Sequence, residues 1–279
     1  MTKYSVVIVT YNTRDMTLDC LKSLYANMPP GGEVYVVDNA SSDGSAAAIR
    51  EAFPEAIVIE NDRNGGFSQG NNLALARAKG EYSLLLNSDT IVLPNALHES
   101  LAYLETHPKV GAIGCRLLFG DGSLQPSAAR LPTLKGVATE YLLGSLRSSD
   151  RYPESRYESD GPVGCVIGAY LFVRATALGE IGLLDEGYFM NVEDVDYCKR
   201  LWDAGWEVHY VAQPSIVHLT SQSIKQRPFK MAIQLHKNRI RYFYKFHGLG
   251  SATITALFIA IGLLARWARR LAMRQAKAS

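Results

Sequence analysis

Carboxylate side chains are absent from the last quarter of this 279-residue chain. Glu207 is the last acidic residue, and none follows it. Of the 29 lysines and arginines, 12 follow that position, although the formal net charge of the whole chain is only +2. Such segregation of charge indicates a basic surface segment that meets an anionic partner. The segment has no recognisable nucleic-acid-binding motif, so we expect no nucleic-acid partner and favour anionic lipid.

Cysteine is also scarce. The four cysteines form no CxxC pair and do not cluster with histidine: Cys20, Cys115, Cys165 and Cys198. We therefore expect free thiols in a reducing cytoplasm rather than a disulfide framework. The chain does not open with a basic stretch and a long apolar run, so we also expect no secretory signal peptide. A hydrophobic content of 47% excludes disordered and collagen-like classes.

Short apolar runs alternate with stretches of helical spacing in the first half of the chain. This alternation predicts an α/β fold with a doubly wound, mostly parallel sheet and helices on both faces. Strands are predicted at Ser5–Thr10, Glu33–Asp38, Ala56–Glu60, Tyr82–Asn87 and Val110–Gly114, with helices at 15–27, about 42–53, 69–79 and 94–106. The second half is less regular, with a hairpin turn at 120–123, a mobile loop over 145–162, a broken strand at 163–173, a helix at 192–204, a strand at 206–211 and a basic helix at 228–247.

Polar residues follow several of these strands, where ligands bind in parallel sheets. Asp38 could accept a hydrogen bond from a base or a ribose, and an Asx turn would suit it equally well. Asp89 could hold a hard divalent cation or cap the next element. The glycine-rich stretch from Asn64 to Asn72 has neither the GxGxxG spacing nor the lysine of a phosphate-binding P-loop, so only close backbone approach to a ligand stays open.

Three carboxylates crowd into Glu193, Asp194 and Asp196 at the start of a predicted helix. The helix dipole favours acids there, and a carboxylate could equally act as a general base. Crowding of like charges would raise the pKa of one of them. His218 stands alone, so it is either a structural residue or a metal ligand.

In their order and spacing these segments resemble family 2 inverting glycosyltransferases of the GT-A fold, especially bacterial rhamnosyltransferase-like members. The matching segments are Ser5–Asn12, Val37–Ser45, Asn64–Asn72, Leu86–Thr90, Gly168–Ala169, Gly182–Met190, Glu193–Asp196, Arg200–Trp206 and His218. The resemblance implies a GT-A catalytic domain over 1–223, with a nucleotide-sugar half at about 1–115 and an acceptor half at about 116–223. A basic helical segment would follow at 224–279.

The resemblance also implies roles for individual residues. Asp194 looks like the catalytic base. Asn87–Asp89 looks like the DXD motif, with Asp89 as the metal carboxylate and Asn87 in place of the first acid, and His218 looks like a histidine that completes the metal site. The implied cofactor is Mg²⁺ or Mn²⁺. The implied substrate and nucleotide contacts are Thr10, Tyr11, Asn12, Asp38, Asn39, Asn64, Gly65, Asn87, Ser88, Gly168, Ala169 and Glu193.

The function that the resemblance implies is transfer of one sugar, with a leaning to rhamnose, from a nucleotide-diphosphate sugar. The acceptor would be a glycan or a polyprenyl-diphosphate-linked hydroxyl in cell-surface polysaccharide synthesis. The region of Lys199–Trp202 lacks the glutamine of the QxxRW motif in processive synthases, so we expect single addition. The alternatives are a nucleotidyltransferase, which usually has a glycine-rich basic loop where Tyr11–Arg14 stands, and a non-catalytic nucleotide-sugar-binding protein, which has no need of both Asp89 and Asp194.

The stretch from Gly248 to Ala265 has no charged residue and lies between basic clusters. A spanning helix needs about 20 apolar residues, and basic residues on both sides disfavour crossing. We therefore predict a helix on the anionic inner face of the cell membrane, with Trp267 at the headgroup level, in a cytoplasmic, peripheral protein. The alternative is a helix packed on the catalytic domain or on a second subunit of a homodimer.

Overall fold

The computed structural model describes residues 2–144, 149–219 and 228–275. Its first half consists of β1 (Tyr4–Thr10), α1 (Arg14–Asn27), β2 (Gly32–Asp38), α2 (Ser45–Ala52), β3 (Ile57–Glu60), α3 (Gly66–Leu75), β4 (Tyr82–Asn87), β5 (Thr90–Val92), α4 (Ala96–Thr106) and β6 (Val110–Leu118). Its second half consists of β7 (Leu124–Gln125), β8 (Ala128–Ala129), α5 (Leu134–Leu143), a 3-10 turn (Glu154–Glu158), β9 (Gly161–Pro162), β10 (Cys165–Val166), β11 (Tyr170–Arg174), α6 (Ala175–Ile181), α7 (Glu193–Asp203), β12 (Glu207–His218) and α8 (Pro228–Gln275).

One mixed sheet forms the centre of the fold, with its strands in the order β3-β2-β1-β4-β11-β6-β12-β5. β1 is parallel to both β2 and β4, and β6 is parallel to β12, whereas β11 runs antiparallel between β4 and β6. Successive residues of β1 alternate between two cores. Val6 and Ile8 pack with α1 and α4 on one face, and Val7 packs with α3 and α7 on the other. The predicted doubly wound sheet, covered on both faces, is therefore confirmed.

Two stretches of the second half differ from the prediction. Residues 149–162 belong to the expected mobile loop, yet they form the 3-10 turn and β9. Tyr157 in that turn is buried and donates to the carbonyl oxygen of Ala128 at 2.7 Å, so one aromatic side chain orders a segment of polar composition. The rest of that loop, at 145–148, lies outside the described residues. The strand predicted at 206–211 continues to His218, because a bulge between Val211 and Ser215 accommodates Pro214.

The C-terminal helix α8 bends at Gly248, whose φ of 77° lies outside the helical region. The part before the bend packs on the rest of the protein through ion pairs. These join Arg239 to Glu140 at 2.7 Å, Arg241 to Asp185 at 3.1 Å, and Lys245 to both Asp185 and Asp196 at 2.7 Å. Burial alone would raise the pKa of the Asp185 carboxyl, but its contacts with Lys245 and Arg241 lower that pKa to about 2. Three basic side chains that were expected to face an anionic partner are therefore paired within the protein. The predicted domain boundary at 223/224 lies outside the described residues.

Candidate active site

The carboxyl ends of β1, β2 and β4 meet at one edge of the sheet. The strand register places Thr10 beside Asp38 and Val9 beside Asn87. The backbone N–H of Asn39 donates to the carbonyl oxygen of Thr10 at 2.9 Å, which ties the two strand ends together. Parallel pairing thus brings the predicted nucleotide residues of these three strand ends to a common edge, as such sheets require.

The side chains at this edge differ in exposure. Thr10, Asp38 and Asn39 are buried, and all three hydrogen-bond within the surrounding loops. Tyr11 and Asn12 are half-buried, and the side-chain oxygen of Asn12 accepts from a backbone N–H of the loop after β2 at 2.8 Å. These two residues are thus more exposed than the three buried ones. The binding role assigned to each of these residues stays a prediction.

The glycine-rich segment lies next to the loop that carries Phe189. Helix α3 begins within it at Gly66, three residues before the predicted start. Gly66 has a φ of 82°, and a Cβ there would lie 2.1 Å from the carbonyl oxygen of Phe189, so only glycine allows the two loops to touch. Asn64 accepts from the Gly66 N–H at 3.0 Å, and Gly65 is half-buried beside it. Gly66 therefore serves this loop-to-loop contact, which the spacing alone did not predict.

Asp89 and His218, distant in sequence, lie side by side. They come together because β5 pairs with the end of β12, which sets Thr90 opposite His218. His218 Nε2 lies 3.3 Å from Asp89 Oδ1 and 3.4 Å from Asn87 Nδ2. Ser88, between the two motif residues, is half-buried. The sequence prediction grouped these residues only through a family resemblance, and the sheet pairing supplies the physical reason for their proximity.

Gln125 is a contributor to this group that the sequence interpretation missed. Its Oε1 lies 3.2 Å from His218 Nδ1, and an amide oxygen only accepts, so Nδ1 carries a proton. That hydrogen bond fixes the imidazole ring and leaves Nε2 directed at Asp89, as the outer partners of metal-binding histidines do. The hairpin turn predicted at 120–123 could have indicated this contact, because the turn brings the following residues back beside the end of β6.

These groups fit a divalent cation that takes most of its ligands from elsewhere. Mg²⁺ and Mn²⁺ favour oxygen ligands, and Mg²⁺ is usually held by one or two carboxylates together with phosphates and water. Asp89 and His218 offer one carboxylate oxygen and one imidazole nitrogen. Within the described residues there is no group of three or more His, Cys, Asp or Glu side chains that could hold a metal. The chemistry of the donor set therefore suits a cation bound jointly with a diphosphate.

The acidic cluster lies at the start of α7. Asp194 is half-buried, and its two oxygens accept from the backbone N–H groups of Gly168 at 3.0 Å and Val195 at 2.8 Å. Burial raises the pKa of Asp194, while these hydrogen bonds oppose the rise. Glu193 is buried with no partner for its Oε2, and both burial and the neighbouring Asp194 raise its pKa. Asp194 is thus a partly exposed carboxylate that two backbone N–H groups hold in place. Glu193 is a buried carboxylate.

Gly168 and Ala169 lie between the Asp194 carboxylate and the neighbouring pair of Asp89 and His218. Ala169 is buried, and its carbonyl oxygen accepts from the backbone N–H of Asn87 at 3.1 Å. Gly168 lies beside the ring of Phe67 in the glycine-rich segment. A short chain of contacts therefore leads from Asp194 through Gly168 and Ala169 to Asn87 and Asp89. The predicted base and the predicted metal residues are thus linked through one short stretch of backbone.

Sequence comparison assigns this fold and site to the glycosyltransferases. The sequence model described as "Glycosyl transferase family 2" matches residues 5–182. The chain belongs to glycosyl transferase family 2 and is rhamnosyltransferase-like. It is 30% identical over 249 residues to the N-acetylglucosaminyl-diphospho-decaprenol L-rhamnosyltransferase of Mycobacterium tuberculosis, covering 84% of this chain and 81% of that one. It is 31% identical over 253 residues to rhamnosyltransferase WbbL of Escherichia coli K12, covering 85% and 91%.

Solved glycosyltransferases share the fold. A mannosyltransferase of Pyrobaculum calidifontis, solved with GDP-Man and Mn²⁺, matches with a TM-score of 0.61 at 18% identity, over 99% of this chain and 80% of that one. S. aureus TarS 1–349, solved with UDP-GlcNAc, matches with a TM-score of 0.59 at 19% identity, over 92% and 71%. The predicted GT-A architecture is thereby confirmed.

Proposed function

We propose that this enzyme transfers a single sugar, with inversion at the anomeric carbon, from a nucleotide-diphosphate sugar to a hydroxyl acceptor. The observation that carries the proposal is the contact chain from Asp194 through Gly168 and Ala169 to Asn87 and Asp89. In this proposal Asp194 is the proton acceptor and Asp89 with His218 is the cation-binding pair, and attack with displacement requires both. The acceptor is a glycan or a polyprenyl-diphosphate-linked sugar, in keeping with the named relatives.

In this proposal the half-buried Asp194 takes the proton of the acceptor hydroxyl as that hydroxyl attacks the anomeric carbon. Attack from the side opposite the leaving group gives inversion in one displacement, as in inverting glycosidases. Asp89 and His218 would hold Mg²⁺ or Mn²⁺, which offsets the charge of the departing diphosphate. Tyr11 and Asn12 would line the nucleotide pocket, and Gly168 holds Asp194 by its N–H.

A donor panel tests the reaction class. We expect transfer to a lipid-diphosphate-linked N-acetylglucosamine from one nucleotide sugar, with dTDP-rhamnose tested first because the relatives named above are rhamnosyltransferases. EDTA should abolish turnover, and Mg²⁺ or Mn²⁺ should restore it, because the diphosphate needs a counter-charge when it leaves. Mass spectrometry of the products is the measurement. A product that carries a nucleotide would indicate a nucleotidyltransferase, binding without product would indicate a non-catalytic protein, and full turnover in EDTA would contradict the metal.

We further propose that the part of α8 after Gly248 lies on an anionic membrane surface. One of its faces packs on α5, where a Cβ at Gly262 would lie 2.6 Å from the carbonyl oxygen of Tyr141. The other face exposes large apolar side chains beside two exposed residues of α5 and the exposed Arg266 and Arg269. The apolar members are Leu142, Leu143, Leu249, Ile254, Leu257, Ile261, Leu263, Leu264 and Trp267. Cations beside an apolar face are typical of interfacial binding.

By length and hydropathy alone, the helical stretch Met231–Arg269 could cross a membrane. Its N-terminal part, however, is held on the catalytic domain by the ion pairs of Arg239, Arg241 and Lys245, so only the part after Gly248 is available. That part is flanked by basic residues at both ends, which favours lying on the surface over spanning. The acceptor of the proposed reaction is itself held at the membrane by its lipid, so surface binding would bring enzyme and acceptor together.

Charges placed on the apolar face test this surface. We expect the Leu257→Glu/Leu264→Glu double variant to lose flotation with phosphatidylcholine–phosphatidylglycerol vesicles, because two carboxylates would have to enter the headgroup–acyl boundary. Lys22→Glu on α1 is the control, since it makes the same change in net charge on an exposed position elsewhere. Unchanged flotation of the double variant would contradict the proposal. Sedimentation of the wild type as a dimer that the double variant breaks would instead show that a second copy covers this face.

A further inference from the structure

A buried amide of α8 contacts the turn that precedes the acidic cluster. Asn238 is 2% exposed, and its Nδ2 donates to the carbonyl oxygens of Met190 at 3.0 Å and Asn191 at 2.8 Å. Gln234, one helical turn earlier, donates to Asn238 Oδ1 at 2.9 Å. Both donors and the acceptor of this amide are therefore used, which fixes its orientation. The C-terminal helix is joined to this turn by a directed polar contact as well as by packing.

The turn itself has an unfavourable backbone conformation. Asn191 has a φ of 70° and Val192 a φ of 79°, so two consecutive residues other than glycine lie in the left-handed region. Asparagine tolerates that region, but a β-branched residue rarely adopts it. Such conformations persist only when the surrounding structure holds them, and they concentrate at functional sites. The contact from Asn238 is a direct restraint of this kind, because it holds the carbonyl oxygens of the two peptide groups that flank the Asn191 Cα.

The turn determines the direction in which Asp194 emerges. Glu193 is the first residue of α7, and the helix is closed by the Asp196 N–H donating to the carbonyl oxygen of Val192 at 2.8 Å. Asp194 therefore projects from the first turn of a helix whose starting position is fixed by Asn191 and Val192. A small rotation of that start would carry Asp194 away from the N–H of Gly168.

We propose that Asn238 is a positioning residue for sugar transfer, which holds the Met190–Val192 turn so that Asp194 points at the acceptor hydroxyl. The inference rests on the proposed role of Asp194 as the base. Docking of α8 alone does not call for this contact, since the ion pairs of Arg239, Arg241 and Lys245 and an apolar cluster around Tyr242 already hold the helix. The amide instead restrains the segment that leads to the reacting carboxylate.

Asn238→Ala tests the proposal, with Arg239→Ala as the matched control on the next residue of the same helix. We expect Asn238→Ala to lower kcat by about 10- to 100-fold, since a displacement of about 1 Å caused far from the chemistry can cost 10²-fold. The donor KM should stay within about twofold, because the donor edge is untouched. Gln234→Ala should shift kcat in the same direction but less, and it guards against a failure of Asn238→Ala to fold. Arg239→Ala should lower Tm and leave kcat unchanged.

Two further readouts separate positioning from simple stability. The Gly168 N–H lowers the pKa of Asp194, so its loss should move the acid limb of kcat/KM to higher pH in Asn238→Ala and not in Arg239→Ala. Amide hydrogen exchange over residues 190–196 should quicken in Asn238→Ala alone, and this measurement needs no substrate. Unchanged hydrogen exchange in Asn238→Ala would overturn the inference. Parallel changes of kcat, KM and Tm in Asn238→Ala and Arg239→Ala would also overturn it. A wild type without sugar transfer would refute the proposed function, while the exchange result would still decide whether Asn238 holds the turn.

Discussion

Replacing Asp194 with asparagine should lower kcat by about 10²- to 10⁴-fold, which is the usual contribution of a positioned general base. Asparagine keeps the size of the side chain, and its amide oxygen can still accept from the Gly168 N–H, but it cannot take a proton. The donor KM should change little, because the nucleotide edge lies across the Gly168–Ala169 bridge from this residue. Initial rates at saturating donor and acceptor are the measurement.

The matched control is Asp203→Asn, at the far end of the same helix, where the carboxylate pairs with Lys199 on the surface. It should retain wild-type kcat. The pH profile provides a second check, because the base must be ionised and burial raises the pKa of Asp194. Activity should therefore fall on the acid side at a higher pH than an ordinary aspartate would give. Near-full activity of Asp194→Asn would show that another group takes the proton.

Much of the nucleotide half follows from periodicity. Runs such as Tyr82–Asn87 are apolar on both faces and end in polar residues, so both the parallel sheet and its ligand edge could be predicted. The error at residues 149–162 has the opposite cause. Tyr157 stands among polar neighbours, and no periodic pattern in the sequence indicates that its ring is buried beside β8.

The site was predictable where residues are adjacent in sequence and not where strand pairing assembles it. Asn87, Ser88 and Asp89 follow one strand directly. Gln125 reaches His218 only because β7 folds back on β6, and the contact of Asn238 with Asn191 depends on how α8 docks. Contacts of this kind depend on tertiary packing, which leaves no local signal in the sequence.

The C-terminal segment shows how charge counting can mislead. The sequence shows basic residues without nearby acids, which indicates an external anion. The acids that neutralise Arg239, Arg241 and Lys245 are Glu140, Asp185 and Asp196, far earlier in the chain. Among the described side chains, the proposal of membrane-surface binding therefore depends on the apolar face after Gly248 and on Arg266 and Arg269 at its end.

Replacing Asp89 with alanine should remove metal-dependent sugar transfer and lower kcat/KM by at least about 10²-fold, since a catalytic cation contributes several kcal/mol of charge stabilisation. The reason is the small number of protein ligands. With one carboxylate and one imidazole in the pair, loss of Asp89 leaves His218 as its sole remaining member. His218→Ala should be milder, because the carboxylate that carries the negative charge is retained. Asp19→Asn, an exposed carboxylate on α1, should behave as the wild type.

The same geometry predicts that cation and nucleotide bind together. Two protein groups bind Mn²⁺ weakly, whereas a diphosphate adds oxygen ligands at the same point. Titration of Mn²⁺ by electron paramagnetic resonance should therefore show tight binding to the wild type only with a nucleoside diphosphate present. Asp89→Ala should show no such enhancement, and Gln125→Ala should weaken it by about 10- to 100-fold, as loss of an outer partner does for other metal-binding histidines. Tight binding of Mn²⁺ to Asp89→Ala would place the cation elsewhere, and equal affinity with and without nucleotide would mean that the protein alone completes the site.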